Sequence, residues 1–257
     1  MSKDLVSIIM LSQNRAQYVE ESVKSVLAQT YTNWELVFVD DNSKDDTIRK
    51  MMELKGNDKR FRISKTVTER GESVNRNVAL KEARGRWIAF LDVDDVWAPD
   101  KLERQIQFME DNSYAFSYTC YGQMNSHSQN RGVVISGKER VSYQDMLKCC
   151  WPAYLTVMYD VTKVGRVHVR NVKENNDYAL WLHISERNDC HLLAENLATM
   201  RTPYGLFSRF LRTDKLKWRY EVYRKEEDLG ELKSFLYTVR NGWYGLVKWF
   251  KYVKRTR

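Results

Sequence analysis

Only four cysteines and four histidines occur among the 257 residues, and no apolar run is long enough to cross a bilayer. Each scarcity excludes a class of protein. Cys120, Cys149, Cys150 and Cys190 form no CxxC pair and no zinc-type spacing, so neither a disulfide framework nor a structural zinc site is expected, and the thiols should be reduced and mostly buried. His127, His168, His183 and His191 show no paired spacing, and nothing in the chain recommends a Ser/His or Cys/His nucleophile. A membrane span needs roughly 18 consecutive apolar residues, and none is present. The opening stretch MSKDLVSIIMLSQNR meets its acid and polar breaks too early for a signal peptide, which makes the cytoplasm the expected compartment. Internal repeats and low-complexity segments are absent.

What remains is ample for a packed core: 43% of residues are hydrophobic and 12% aromatic. The formal charge of +8 suits a polyanion, an anionic membrane surface or a phosphorylated substrate equally well. Its excess is crowded into residues 201–257. There, GWYGLVKWFKYVKRTR interleaves Trp243, Leu246, Trp249 and Phe250 with Lys248, Lys251, Lys254 and Arg255. That composition fits a helix lying in a membrane interface, with anionic lipid as partner. It also fits a helix that packs its aromatics on the main domain and ends in solvated cations. No recognisable nucleic-acid module accompanies the charge, so nucleic acid is not an expected partner.

The first hundred residues alternate two periods. VSIIML, WELVFVD, RFRISKT and RWIAFLD read as strands, and between them AQYVEESVKSVLAQ, DDTIRKMMELK and ESVNRNVALKEA read as helices, the first with Val19, Val23, Val26 and Leu27 on one face. Such βαβα alternation predicts a largely parallel α/β sheet with helices on both faces. After Pro99, placed for the first helical turn, DKLERQIQFMED puts Leu102, Ile106 and Met109 on one stripe. Residues 113–200 form a mixed second half, with strands in YAFSYTCY and GVVISG and helices in SYQDMLKCC and NDYALWLHISER. A helical, basic extension fills 201–257.

Ligands of parallel sheets sit beyond the carboxyl ends of the strands, and this chain keeps its acids there. Asp40 and Asp41 close the second strand; Asp92, Asp94 and Asp95 close the fourth. Clustered carboxylates are costly unless water or a cation answers them, so the loop is either solvated or a metal site. Likewise DDNSKDD is either a ligand-binding strand end or a polar turn in which Asn42 or Ser43 caps the next helix.

Three stretches occur in an order that resembles glycosyltransferase family 2: SIIMLSQNRAQYVEESVKSVLAQTYTNWELVFVDDNSKDDT, RGESVNRNVALKEARGRWIAFLDVDDVWAPDKLERQI and, more weakly, NDYALWL. The likeness covers nearly all of residues 6–112 and thins afterwards. It implies the GT-A fold, with 1–112 as the nucleotide-sugar-binding half, 113–200 as the acceptor-binding half and 201–257 as the extension. It further implies an inverting transferase that moves sugar from a nucleotide-sugar donor, expected to be a UDP-sugar, to a glycan or lipid-linked acceptor in cell-surface polysaccharide synthesis such as O-antigen or capsule. Asp92-Val93-Asp94-Asp95 resembles the family's DxD motif, which holds Mn²⁺ or Mg²⁺ against the donor diphosphate. By that likeness Asp95 is the direct metal ligand, Asp94 a ligand or a contact to sugar or ribose, and Asp92 a support to either. Asp41 is expected to accept from the uracil N3–H, Arg76 to stand beside the donor phosphates, and Leu11, Gln13 and Arg15 to line the nucleotide site. Asp177 is the expected general base, with Glu174 in reserve.

The chain departs from the family pattern at Gln13, where an aromatic commonly stacks on the base, and at Gly205 and Arg212, where Arg and Ser are usual. These departures leave a second reading, a catalytically inactive nucleotide- or glycan-binding relative. A third, a dehalogenase-type phosphatase with Asp92 as nucleophile, answers to DVDDV, but that motif normally opens a core and here three βα units precede it. The sheltered inner face of the cell membrane would suit an enzyme with a basic aromatic tail and a lipid-held acceptor.

Overall fold

Strand β1 (Val6–Ser12) has no exposed residue, and β2 (Trp34–Asp40) beside it is buried at every position. Strands covered on both faces carry continuous apolar runs rather than alternation, which is why VSIIML and WELVFVD look as they do. The computed structural model describes residues 4–67, 71–168, 176–202, 214–225 and 227–255. In it β3 (Phe61–Lys65), β2, β1 and β4 (Trp87–Phe90) lie in parallel, in that order. Their crossovers are α1 (Val19–Leu27), α2 (Thr47–Lys55) and α3 (Glu72–Glu82).

Alternate residues of β1 and β2 serve two cores. Ile8, Met10, Leu36 and Phe38 pack with Val19, Val23 and Val26 of α1, each valine contributing about 1.5–3 kcal/mol by full burial. Leu27, expected on that face, is 39% exposed because it lies off the stripe. Ile9, Val37 and Val39 face the other way, onto Ala79 and Leu80 of α3.

The remaining elements extend this sheet. They are β5 (Val96–Trp97), α4 (Lys101–Asp111), β6 (Phe116–Met124), β7 (Asn130–Ile135), β8 (Arg140–Val141), α5 (Tyr143–Lys148), a 3₁₀ turn at Tyr154–Thr156, β9 (Met158–Asp160), α6 (Val161–Val164), α7 (Asn176–Ser185), β10 (Cys190–Arg201), α8 (Asp214–Lys225), α9 (Glu231–Tyr252) and β11 (Val253–Arg255). Among the described residues every strand joins one sheet, ordered β11-β7-β6-β9-β4-β1-β2-β3, with β10 pairing β6, β5 and β8. The boundary expected near residue 112 therefore falls inside a continuous sheet, where β9 bridges β4 and β6.

Several local expectations change. Asp100, not Pro99, is the residue before α4, so the proline precedes the helix instead of opening it. Ser43 and Asn42 do not cap α2; Asp46 holds that position without a side-chain bond, and Asp45 Oδ1 accepts from the Thr47 N–H at 3.1 Å. The twelve-residue β10 is missing from the pattern reading because register shifts around Asn196 break its two-residue alternation. Nor does the basic tail stay helical: Val253–Arg255 pair antiparallel with β7. Cys120, Cys149 and Cys190 are buried and Cys150 is partly buried.

A buried polar knot ties the extension to the domain. Tyr178 and Tyr223 hydroxyls lie 3.0 Å apart, and Asn241 Nδ2 donates to both, at 3.2 and 3.0 Å. Helices α7, α8 and α9 thus share one hydrogen-bonded core.

Candidate active site

The carboxyl ends of β1, β2 and β4 open onto a cleft of about 750 Å³. Two left-handed asparagines, Asn14 (φ 53°) and Asn42 (φ 57°), turn the chain at the first two strand ends, a conformation that asparagine tolerates better than most residues. Ser43 Oγ accepts from the Asn14 N–H at 2.8 Å, and Asn14 Oδ1 accepts from the Lys44 N–H at 2.8 Å, so the two loops brace each other.

The neighbouring acids Asp40 and Asp41 then do different work. Asp40 is fully buried and takes the Ser43 N–H at 2.8 Å and the Ser43 hydroxyl at 2.5 Å, which makes it part of the turn. Asp41 lines the cleft; Oδ1 accepts from Thr66 Oγ1 and Oδ2 from the Gly71 N–H, each at 3.1 Å. Gly71 has φ 86°, where a side chain would be strained, and this backbone shape presents its N–H to Asp41.

At the end of β4 the acids divide similarly. Asp92 and Asp94 line the cleft. Asp95 is turned from it, 3% exposed, with Oδ1 accepting from the Arg201 N–H at 2.6 Å. Arg201 secures the rest of the loop: Nε donates to the Asp94 carbonyl at 2.9 Å, Nη1 to Ser128 Oγ at 2.9 Å and Nη2 to Glu21, with the guanidinium 4.4 Å from the Tyr18 ring centre. Arg15 approaches from β1, its Nε 3.8 Å from Asp94 Oδ2.

Arg76 is 1% exposed, not the solvated surface group that an amphipathic helix suggests. Its guanidinium lies 4.6 Å from the Tyr154 ring centre and pairs with Glu72, while Nε and Nη1 have no hydrogen-bond partner among the described residues. Phe90, Tyr154 and Trp181 form the aromatic floor beneath it. Trp181 stands one helical turn after Asp177 on the same face of α7, so its docking on Phe90 brings Asp177 to this floor.

These charges feel one another. Burial first, then the Asp94 and Glu72 carboxylates, push Asp92 up to about 8 against the pull of Arg76. Burial likewise raises Asp177 above the ordinary carboxylate range; Arg76 opposes the shift and Glu72 adds to it. Burial disfavours the Arg76 cation, but Tyr154, Glu72 and Asp177 more than offset it, and the guanidinium is held above its usual range.

Of the residues expected from sequence, Leu11, Gln13, Arg15, Asp41, Asp92 and Asp94 thus border one cleft, with Arg76 and Asp177 coupled electrostatically to Asp92. Glu174, Gly205 and Arg212 lie outside the described residues. Glu72, Asn75, Thr66, Tyr154 and Arg201 were not among the expected residues. Glu72 stands one helical turn before Arg76, a pairing that spacing alone can reveal. No local signal marks Tyr154 or Arg201, which arrive from distant elements.

No three His, Cys, Asp or Glu side chains among the described residues form a ready metal cage. The donor set nevertheless fits a hard cation: Mg²⁺ is usually bound by one or two carboxylates and completes its shell with phosphate oxygens and water. Asp92 and Asp94 offer such oxygens, and the Asp94 and Glu72 carboxylates add to the upward shift that burial gives Asp92, a contribution that a cation would relieve.

A cleft built over acidic strand ends of a parallel sheet is the arrangement expected of a GT-A transferase, and comparison with known proteins agrees. Residues 7–170 match Glycosyl transferase family 2. The chain is 37% identical over 235 residues to the Escherichia coli UDP-Glc:alpha-D-GlcNAc-diphosphoundecaprenol beta-1,3-glucosyltransferase WfgD, covering 90% of this chain and 87% of that one. It is 37% identical over 214 residues to a second E. coli enzyme of the same description, WfaP, covering 83% and 82%. Among solved structures, S. aureus TarS in complex with UDP-GlcNAc matches with a TM-score of 0.69 at 21% identity, over 95% of this chain and 72% of that one. Mannosyltransferase PcManGT from Pyrobaculum calidifontis, in complex with GDP-Man and Mn²⁺, matches with 0.65 at 15% identity, over 95% and 72%. At those identities the structural likeness establishes the fold, GT-A. The chain belongs to glycosyl transferase family 2 and is a glycosyltransferase.

Proposed function

We propose that this enzyme takes sugar from a UDP-sugar and passes it, with inversion, to a saccharide carried on a lipid diphosphate, assisted by Mn²⁺ or Mg²⁺. The observation that carries the reading is the convergence of Asp41, Asp92 and Asp94 on one cleft whose inner wall couples Arg76 and Asp177. The E. coli relatives, named for UDP-Glc and a diphosphoundecaprenol-linked acceptor, support the donor and acceptor classes.

Asp41, held by Thr66 and Gly71, presents fixed carboxylate oxygens to the uracil N3–H, with Leu11 and Gln13 framing the nucleoside. Asp94, with Asp92 beside it, would hold the cation, whose charge offsets that of the departing diphosphate. Asp95 then acts one step behind, by fixing the loop to β10. Arg15 and the buried Arg76 add positive charge facing the phosphates. Asp177 takes the proton from the acceptor hydroxyl as its oxygen attacks the anomeric carbon, and a carboxylate raised above its ordinary range is a better base for that task.

Calorimetric titration with UDP and with GDP, each with Mn²⁺ and with chelator, tests the donor site. UDP-selective, metal-dependent binding that disappears in Asp94→Ala is the expected result. Binding of neither nucleotide would sink the donor assignment and move the weight to another donor class or to an inactive, glycan-binding relative.

A further inference from the structure

Helix α9 is amphipathic in the reverse of the usual sense. Its hydrogen-bonding residues Ser234, Thr238 and Asn241 are buried, whereas Leu232, Phe235, Leu236, Val239, Trp243, Leu246 and Phe250 are between 42% and 76% exposed. Successive steps of three, one, three, four, three and four residues put all seven on one stripe, about 27 Å long at the rise of an α-helix. Leu216 of α8, 46% exposed, widens the stripe into an apolar groove of about 490 Å³ between the two helices. A monomer surface rarely leaves so continuous an apolar strip facing water.

Charge identifies the occupant. Exposed Lys233 and Lys251 flank the stripe, and exposed Lys254 and Arg255 follow its end in β11. Glu231, in the first turn, is the one acid of the helix. A second copy packed antiparallel on the same stripe would set Lys233 beside the other copy's Lys251, like charge against like. No described helix is long and apolar enough to cross a membrane, whereas an apolar stripe flanked by lysines suits α9 to lie along one.

We infer that the exposed face of α9, with the α8 groove, docks the enzyme on an anionic lipid bilayer, Phe235, Trp243 and Phe250 entering the headgroup boundary and the flanking lysines facing anionic headgroups. The inference deepens the reading of a lipid-carried acceptor and rests on it for its purpose. Asn241, on the inward face of the same helix, bonds the Tyr178 hydroxyl, and Tyr178 follows Asp177 directly. The helix that would meet lipid and the helix that carries the expected base are therefore packed directly on each other. An acceptor whose lipid is held in the bilayer would be delivered to that pair.

Flotation of the full chain with vesicles of phosphatidylglycerol and phosphatidylcholine, against phosphatidylcholine alone, decides the matter. Binding to the anionic vesicles is expected, falling more than about tenfold in Leu236→Ser/Trp243→Ser/Phe250→Ser and several-fold in Lys233→Glu/Lys251→Glu. All five positions are exposed, so folding should be retained, as circular dichroism would verify. No flotation by the unaltered protein, or equal flotation by the triple variant, would overturn the inference. So would a dimer in sedimentation that the triple variant dissociates, since the occupant would then be a second copy. UDP titration separates the two readings: flotation without nucleotide binding sinks the donor site alone, and nucleotide binding without flotation sinks the surface alone.

Discussion

The Arg201 backbone N–H donates to Asp95 Oδ1 at 2.6 Å while the same residue's Nε donates to the Asp94 carbonyl at 2.9 Å. Strand β10 thereby grips the acidic loop from behind, and the cleft side of that loop is left to Asp92 and Asp94. Arg201→Lys keeps the charge but loses the planar fork that spans Asp94, Ser128 and Glu21. Loss of about 1–3 kcal/mol of stability is expected, together with weaker metal-dependent UDP binding. Thermal unfolding and calorimetry measure the two; unchanged values in both would mean that Arg201 holds nothing.

Asp177→Asn preserves shape and removes the proposed base. Turnover should fall by about 10² to 10⁴ while UDP affinity stays within about twofold of the original. A variant that retains most of its turnover would transfer the base role to another residue.

Arg76 stabilises the ionised form of Asp177, and burial and Glu72 work against it. A base acts ionised, so kcat is lost as pH falls through its pKa. In Arg76→Gln that opposing influence is gone, the pKa of Asp177 rises further, and the acid limb of the kcat profile should move to higher pH. A limb that stays in place while kcat falls uniformly would confine Arg76 to donor binding.

Far from the cleft, Glu35 is 2% exposed and accepts from Ser7 Oγ at 2.7 Å and from the Arg84 guanidinium at 2.7 and 3.0 Å. Burial raises its pKa, but these bonds outweigh burial and hold it below the ordinary glutamate value. A depressed acid stabilises the fold above its unfolded pKa and loses that contribution as pH falls through the folded one. Glu35→Gln should cost about 1–3 kcal/mol at neutral pH and flatten the acid side of the stability curve below about pH 4.5. Denaturant melts at pH 7 and pH 4 would reveal it; parallel curves for both proteins would refute the assignment.

The first half was largely legible because its signals are local. Apolar runs mark β1, β2 and β4, helical stripes mark α1 and α4, and acids placed directly after strands reach the same edge of a parallel sheet whatever lies between them. The second half was less legible for equally physical reasons. β10 is bulged at Asn196, β5 and β8 are only two residues long, and β9 only three, so none presents enough alternation to count.

Family likeness singled out one acid of each pair, Asp41 and Asp95, and the structure lines the cleft with the first but not with the second. Asp40 and Asp41 differ by one position, as do Asp94 and Asp95, and adjacent residues leave the backbone in different directions; only the partners waiting there, Ser43 in one case and the Arg201 N–H in the other, decide which is consumed in holding the turn. The fate of the tail is similar. Its sequence determined an amphipathic basic helix, because periodicity is a property of the chain alone. That the polar stripe turns inward, onto Tyr178 and Tyr223, and the apolar stripe outward was decided by tertiary structure, which supplied two buried hydroxyls to satisfy Asn241 and, among the described residues, left Trp243 and Phe250 exposed.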